Sequence, residues 1–299
     1  MTSTPSEVTP TARHGALAAA ARWRLPFSRQ AWRGLSGNWL GAGAGSSLDF
    51  QDHRNYVPGD DPRHIHWQAF ARTGALTMKL YRAEVAPAVD VVVDVSESMS
   101  LTPQKTMRVD ELVAFCVECA DRAGAPVRLH AAVERVPRAI APDEVRAGRW
   151  RERLRPAADA SSNKAPDSIM SVPVPWRRGA LKVLVSDLLF AGDPAGLLVP
   201  LAAGSGVGVV LAPALAEEAE LPWRGNIELT DCESGIARRQ RIDEPLAERY
   251  RAAYARHFAL WREAGRKRGV LFARVPCEGT LSAALAHEAF ASGAVEPLG

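Results

Sequence analysis

Two short runs hold the side chains best suited to chemistry. The first is Asp94-Val95-Ser96-Glu97-Ser98, directly after three strand-forming residues, Val91–Val93; the second is Ser186-Asp187, directly after Leu181–Val185. Carboxylate and hydroxyl oxygens are ligands for a hard cation such as Mg²⁺, which keeps near-octahedral geometry and retains several waters. The Asp-x-Ser-x-Ser spacing lets a loop leaving a strand turn all three side chains toward one point. Asp94, Ser96, Ser98 and Asp187 are therefore the expected metal ligands. Neutral hydroxyls under-compensate the cation, so an open position would favour a carboxylate from a partner protein. Either run alone is an ordinary strand exit, because Asp and Ser form turns. Their occurrence together points to a site.

A different chemistry is open to His64-Ile65-His66. Alternating histidines on a strand point the same way, and with Asp60 and Asp61 nearby they suggest an alternative, a zinc-dependent hydrolase. His53 is the only other histidine close by, and no His-Glu-x-x-His occurs; the His-Glu-Ala-Phe at His287 stops short. No Gly-x-Ser-x-Gly nucleophile elbow is present either. Cys116 and Cys119 form a C-x-x-C, but Leu112, Phe115, Cys116 and Cys119 fall at i, i+3, i+4 and i+7, which makes them one apolar helix face and core residues. Aromatic residues are not interleaved with basic ones, so nucleic acid is not an expected partner.

These residues are carried by alternating elements. Apolar runs rich in Val and Leu recur at 89–93, 127–133, 181–185, 207–212 and 270–275, with helical stretches at 108–122 and 243–268 between them. In the last of these, Leu246, Tyr250, Tyr254, Phe258 and Trp261 follow helical spacing, Asp243 is the expected N-cap and Gly269 the stop. Continuous apolar strands alternating with amphipathic helices predict an α/β fold, a mostly parallel sheet with helices on both faces. In such a sheet ligand sites form at the carboxyl ends of the strands, where both runs lie. Residues 137–178, rich in Pro and charge, are expected to hold a long loop or insertion.

The chain has 299 residues, 47% of them hydrophobic, and a formal charge of +3. That length allows one large domain with appendages. The excess charge is local: residues 1–34 carry Arg13, Arg22, Arg24, Arg29 and Arg33 against Glu7. Residues 1–35 are expected to form a basic flexible leader, a mobile tail or small docking helix, with peripheral membrane contact as a less favoured role. A β/loop appendage is expected over 36–86, the main domain over 87–290 and a C-terminal tail over 291–299. No segment is long and apolar enough to span a bilayer, which suggests a cytoplasmic protein.

The polar block from residue 49 to 81 contains Arg54, Tyr56, Gly59, Asp60, Arg63 and Trp67 in an Arg-x-Tyr-x-x-Gly-Asp-x-x-Arg-x-x-x-Trp spacing. It resembles the signature of the bacterial "domain of unknown function 58" family, and residues 223–254 resemble that family's closing segment. The resemblance implies a von Willebrand factor A-like domain after the block, with a metal-ion-dependent adhesion site at Asp94, Ser96, Ser98 and Asp187. It also implies a non-enzymatic role as partner of a MoxR-type AAA+ ATPase. His66 stands where the family pattern usually has Asp. A complete adhesion-type site also takes a Thr from a middle loop, for which Ser161, Ser162, Ser168 and Ser171 are candidates by location only. Within the block, Pro58-Gly59 fits a type II turn and Asp61-Pro62 a helix start. Arg54, Asp60, Asp61, Arg63 and Arg72 are expected to form a charged network that is structural or docks a partner. A third reading keeps this fold without metal, as a scaffold that binds partners through its Arg-rich surface.

Overall fold

The computed structural model describes residues 8–29, 33–34, 49–60, 62–84, 88–133, 136–154, 169, 172–190, 192–204 and 206–298. The chain divides into two compact units, one of residues 1–30 with 87–299 and one of residues 31–86.

The larger unit begins with α1 (Val8–Ala20) and β1 (Trp23–Arg24). Of the two forms expected for the leader, a mobile tail and a small docking helix, residues 8–20 take the second. The apolar face of α1 is made of Ala12, Ala16, Ala19 and Ala20, all buried. Such small side chains let a helix approach its neighbour closely, and at Gly15 an added Cβ would lie 2.1 Å from Glu111 Oε1. The residues after 290 are likewise not a loose tail: β1 pairs antiparallel with Glu296–Pro297, and Ala294 and Val295 are buried.

The smaller unit holds β2 (Arg33–Gly34), β3 (Asp49–Asn55), α2 (Trp67–Thr73) and β4 (Thr77–Glu84), in an antiparallel sheet ordered β2-β4-β3. The turn at Pro58-Gly59 is closed by the Asp60 N–H donating to the Val57 carbonyl (3.0 Å), with Gly59 at φ +108°, as a type II turn requires. Met78 is buried in β4, whereas Leu76 precedes the strand and is exposed.

The larger unit resumes with β5 (Val89–Asp94), α3 (Pro103–Arg122), β6 (Val127–Val133), β7 (Val136–Ile140) and α4 (Pro142–Arg146). It continues with β8 (Leu181–Val185), α5 (Ala195–Ala202), β9 (Val207–Ala214), α6 (Ala216–Ala219), β10 (Gly225–Thr230) and β11 (Ala237–Ile242). It closes with α7 (Glu244–Arg268), β12 (Leu271–Pro276) and, as β13, Glu296–Pro297. Six strands make one sheet in the order β12-β9-β8-β5-β6-β7, parallel except for β7 at the edge. The architecture is thus α/β around a mostly parallel sheet.

The two central strands, β5 and β8, are buried along their whole length, which is why they read as predominantly apolar runs, broken by Asp90 and Lys182. Their polar members are paired. Asp90 accepts from the backbone N–H and Nε of Arg177, and Lys182 Nζ donates to the carbonyls of Pro200 and Ala203. The helix α7 is capped at its start by the Asp243 carboxylate, which accepts from the Leu246 N–H, and stopped by Gly269 in the left-handed region. It presses Tyr254, Phe258 and Trp261 into the core against Leu184, Val210 and Phe272. Among the described residues no helix is long and apolar enough to cross a membrane.

Trp261 is 1% exposed and its neighbour Leu260 54%. Trp261→Ala should therefore lower the unfolding free energy by about 3–5 kcal/mol. Leu260→Ala should change it by no more than ~0.5 kcal/mol. Urea unfolding of the two variants side by side checks the helix register; equal losses would contradict it.

Candidate functional site

The site forms where β5 and β8 leave the sheet at their carboxyl ends. They are hydrogen-bonded neighbours, with Val93 opposite Val185, so the residues that follow emerge side by side. Asp94 closes β5 and is buried. Its Oδ1 accepts from the Ser96 N–H (3.0 Å) and its Oδ2 from the Ser186 hydroxyl (2.7 Å), so the two runs touch directly. Ser96 precedes a single 3-10 turn, Glu97–Ser100, and its hydroxyl shares a hydrogen bond with that of Ser98 at 3.1 Å. All three Asp-x-Ser-x-Ser side chains thus gather at one corner of the rim.

Asp187 lies at the same rim, but both its oxygens are engaged. Oδ1 accepts from the Leu189 N–H (3.1 Å), and Oδ2 accepts from Lys105 Nζ (2.7 Å). Lys105 is 0% exposed, and its ammonium also donates to Glu218 Oε1. It is delivered by the start of α3, where the Thr102 hydroxyl accepts from the Lys105 N–H and Pro103 occupies the first turn. Burial alone would depress this ammonium, but the charges of Asp187 and Glu218 outweigh it and hold its pKa above the ordinary lysine value.

The backbone between the two carboxylate runs is constrained. Leu188 is buried with φ +59°, a region that a branched side chain rarely enters. Its N–H donates to the Ser186 hydroxyl (3.2 Å), and its carbonyl accepts from His257 Nε2 on α7 (2.8 Å). The Asp187 N–H points to the Met99 sulfur.

Asp94 carries the largest electrostatic burden of the candidate ligands. Burial first, and the neighbouring charge of Asp187 second, push its carboxyl up to about 6, against the partial relief of the Ser96 and Ser186 hydrogen bonds. Lys105 pairs with Asp187 and Glu218, so an ionised Asp94 has no cation of its own at the rim. A site with surplus negative charge, two carboxylates and neutral hydroxyls fits a hard cation bound through Asp94, Ser96 and Ser98. Asp187, already bonded to Lys105, fits an outer position that acts through water.

The closing strand pair adds a residue that the spacing did not reveal. At the tip of the β10–β11 hairpin, Glu233 accepts from the Ser98 N–H (2.8 Å) and the Glu97 N–H (3.3 Å). Sequence reasoning also missed Lys105 and Glu218. A signal for Lys105 existed: it falls in register with Arg108, Val109, Leu112 and Cys116, on the buried face of α3.

In the smaller unit, Arg54 and Asp60 form an exposed pair at 2.6 Å, and the Val57 N–H donates to the other Asp60 oxygen (3.0 Å). Those hydrogen bonds hold the Asp60 carboxyl below its ordinary value. Arg72 Nε donates weakly to the Gln68 carbonyl, and Gly59, Arg63, Tyr56 and Trp67 lie along the same turn-and-helix segment. Trp67 is 57% exposed and meets Phe70 edge-on. Asp61 and the four candidate serines Ser161, Ser162, Ser168 and Ser171 lie outside the described residues. His66 sits at the start of α2. Among the described residues no three of His, Cys, Asp and Glu converge as metal ligands. Cys116, Cys119 and Cys277 are buried free thiols, with Cys119 and Cys277 pushed up to about 12 by burial, while Cys232 is exposed beside Glu233.

A family model described as "Protein of unknown function DUF58" matches residues 52–261, well over half of the chain. The chain belongs to the DUF58 family. The matched span takes in the block at 54–67, both rim runs and the β10–β11 hairpin. Relatives of this DUF58 chain include the uncharacterized protein Rv1480 of Mycobacterium tuberculosis and the uncharacterized protein Mb1516 of Mycobacterium bovis. Each is 30% identical over 261 residues, covering 81% of this chain and 79% of the relative. The crystal structure of the conserved hypothetical protein BatB from Bacteroides thetaiotaomicron is similar at a TM-score of 0.35 and 16% identity, over 69% of this chain and 98% of that one. A likeness that slight assigns no fold.

Two predictions follow from the charges. The Asp94 carboxyl titrates near 6 in the folded state and near ~4 in the unfolded one. Between those values the native state binds more protons, so stability without divalent cations falls as pH rises through the window. The loss is roughly 3 kcal/mol. Denaturation in EDTA across this range should lose the Asp94 contribution to the slope in Asp94→Asn relative to the parent, leaving what the other shifted carboxyls such as Asp110 and Glu111 contribute. Lys105→Met leaves Asp187 and Glu218 without their shared cation and should destabilise by about 3–5 kcal/mol. A melting temperature equal to the parent's would remove Lys105 from that role.

Proposed function

We propose that the chain is a non-enzymatic protein-interaction module of the cytoplasm, an adaptor for a MoxR-type AAA+ ATPase. In this reading the larger unit is von Willebrand factor A-like and uses a Mg²⁺-dependent adhesion-type site. Asp94, Ser96 and Ser98 hold the cation directly, and Asp187 reaches it through water. The observation that carries this reading is the rim itself: two buried carboxylates and three hydroxyls gather at adjacent strand ends, and the one buried lysine there is bonded to Asp187, not to Asp94. When bound, a hard cation supplies an under-compensated positive charge that an acidic side chain of a partner can complete. The protein's own residues then act as binding groups: Ser186 aims Asp94, Lys105 fixes Asp187, and the pairing of β5 with β8 brings the two runs side by side. The exposed Trp67 and Phe70, with Arg54, Arg63 and Arg72, supply a second surface for the partner.

A second reading, the same fold as a metal-free scaffold, has its own support. The Lys105 ammonium already supplies a buried cation to Asp187, as a metal would. The two readings separate in one experiment. Mg²⁺ titration by calorimetry, with co-purification against a MoxR-type ATPase in Mg²⁺ and in EDTA, should show both binding events lost in Asp94→Ala if the cation matters. Partner binding that persists in EDTA and in Asp94→Ala but disappears in Arg63→Ala selects the scaffold. Loss in neither variant, with no ATPase retained by the parent, refutes the adaptor role.

A further inference from the structure

The hairpin formed by β10 and β11 is an arm. Its strands pair with each other and with no other described strand, and of its twelve strand residues only Ile242 is buried. Its tip, in contrast, is tightly organised. The Asp231 carboxylate accepts from the N–H groups of Glu233 (2.8 Å) and Ser234 (3.3 Å), the Gly235 N–H donates to the Asp231 carbonyl, and Gly235 takes φ +70°. This turn presents Glu233 outward. Its two carboxylate oxygens receive the consecutive N–H groups of Ser98 and Glu97, 135 and 136 residues away in sequence. Those amides belong to the turn that carries the Ser98 hydroxyl and directly follows Ser96.

The chain therefore docks one of its own acidic side chains on the shoulder of the candidate site. It does so through an arm with little other burial along its strands. Hydrogen bonds from neutral donors to a charged acceptor are the stronger kind, but here they act on a segment whose local opening exposes almost no apolar surface. A latch held mainly by one carboxylate can be opened by another.

We propose that Glu233 is a resident competitor: it occupies the rim in the free chain, and an acidic side chain presented by a partner displaces it and lifts the arm. This rests on the reading of the rim as a partner-binding site, and adds to it a closed state and the chemistry that opens it.

The test uses the full chain, Glu233→Ala and Glu233→Gln, with acetate as the probe carboxylate. Hydrogen exchange of the arm and of the Glu97 and Ser98 amides should quicken about tenfold or more in both variants. In amide NMR spectra acetate should shift Ser98 and Glu97 saturably in Glu233→Ala, and in the parent only at about tenfold or more higher concentration, where it must first displace Glu233. Unchanged exchange together with no saturable acetate shift in Glu233→Ala overturns the latch, whatever Mg²⁺ does. Acetate binding that Mg²⁺ strengthens, and that adding Asp94→Ala weakens, supports latch and cation together. Acetate binding that is the same in Mg²⁺ and in EDTA supports the latch while the cation reading fails.

Discussion

A lysine ammonium wholly withdrawn from water is tolerable only when its charge is answered on the spot, and Lys105 meets that condition twice, at Asp187 and at Glu218. The three residues come from the first turn of α3, the exit of β8 and the short helix α6, so one cation ties together the crossovers on both sides of the central strands. The arrangement fixes the electrostatics of the rim as well. Asp187 is committed to Lys105, which leaves Asp94 as the carboxylate whose charge is least compensated. The position of every other rim group follows from that division: Ser186 turns toward Asp94, and the turn at Glu97–Ser100 wraps around it.

Much of this frame is legible in the sequence, for a physical reason. A strand buried on both faces must be largely apolar, and β5, β6, β8, β9 and β12 coincide with the Val- and Leu-rich runs to within two residues at each end, although β6 and β12 are not buried throughout and carry Arg128, His130 and Arg274. The helix α7 is legible because its apolar spacing, its Asp243 cap and its Gly269 stop all agree. The arm is not legible because neither of its faces is buried: Ala-Arg-Arg-Gln-Arg-Ile carries no period-two contrast for a strand to betray itself by. The helix α1 is only half legible, as one of two alternatives for the leader, for the opposite reason. Its core face is built from alanines, which look like compositional bias in sequence and like close packing in three dimensions.

The candidate site divides along the same line. Asp94, Ser96, Ser98 and Asp187 stand out because strand ends and local spacing are one-dimensional facts. Lys105, Glu218 and Glu233 are brought to the rim by long-range topology, and only Lys105 leaves a trace, as a charge in register with an apolar helix face. His257 is a further case. It reaches the Leu188 carbonyl from a helix 69 residues downstream and so supports a backbone conformation that Leu188 would not adopt unaided.

The distribution of thiols gives the arm a practical property. Three of the four cysteines are buried, whereas Cys232 is exposed next to Glu233 at the hairpin tip. A thiol-directed fluorophore or spin label should therefore attach at one place in the native chain without any engineered substitution. That place is the moving end of the latch, so the native sequence already carries its own reporter position.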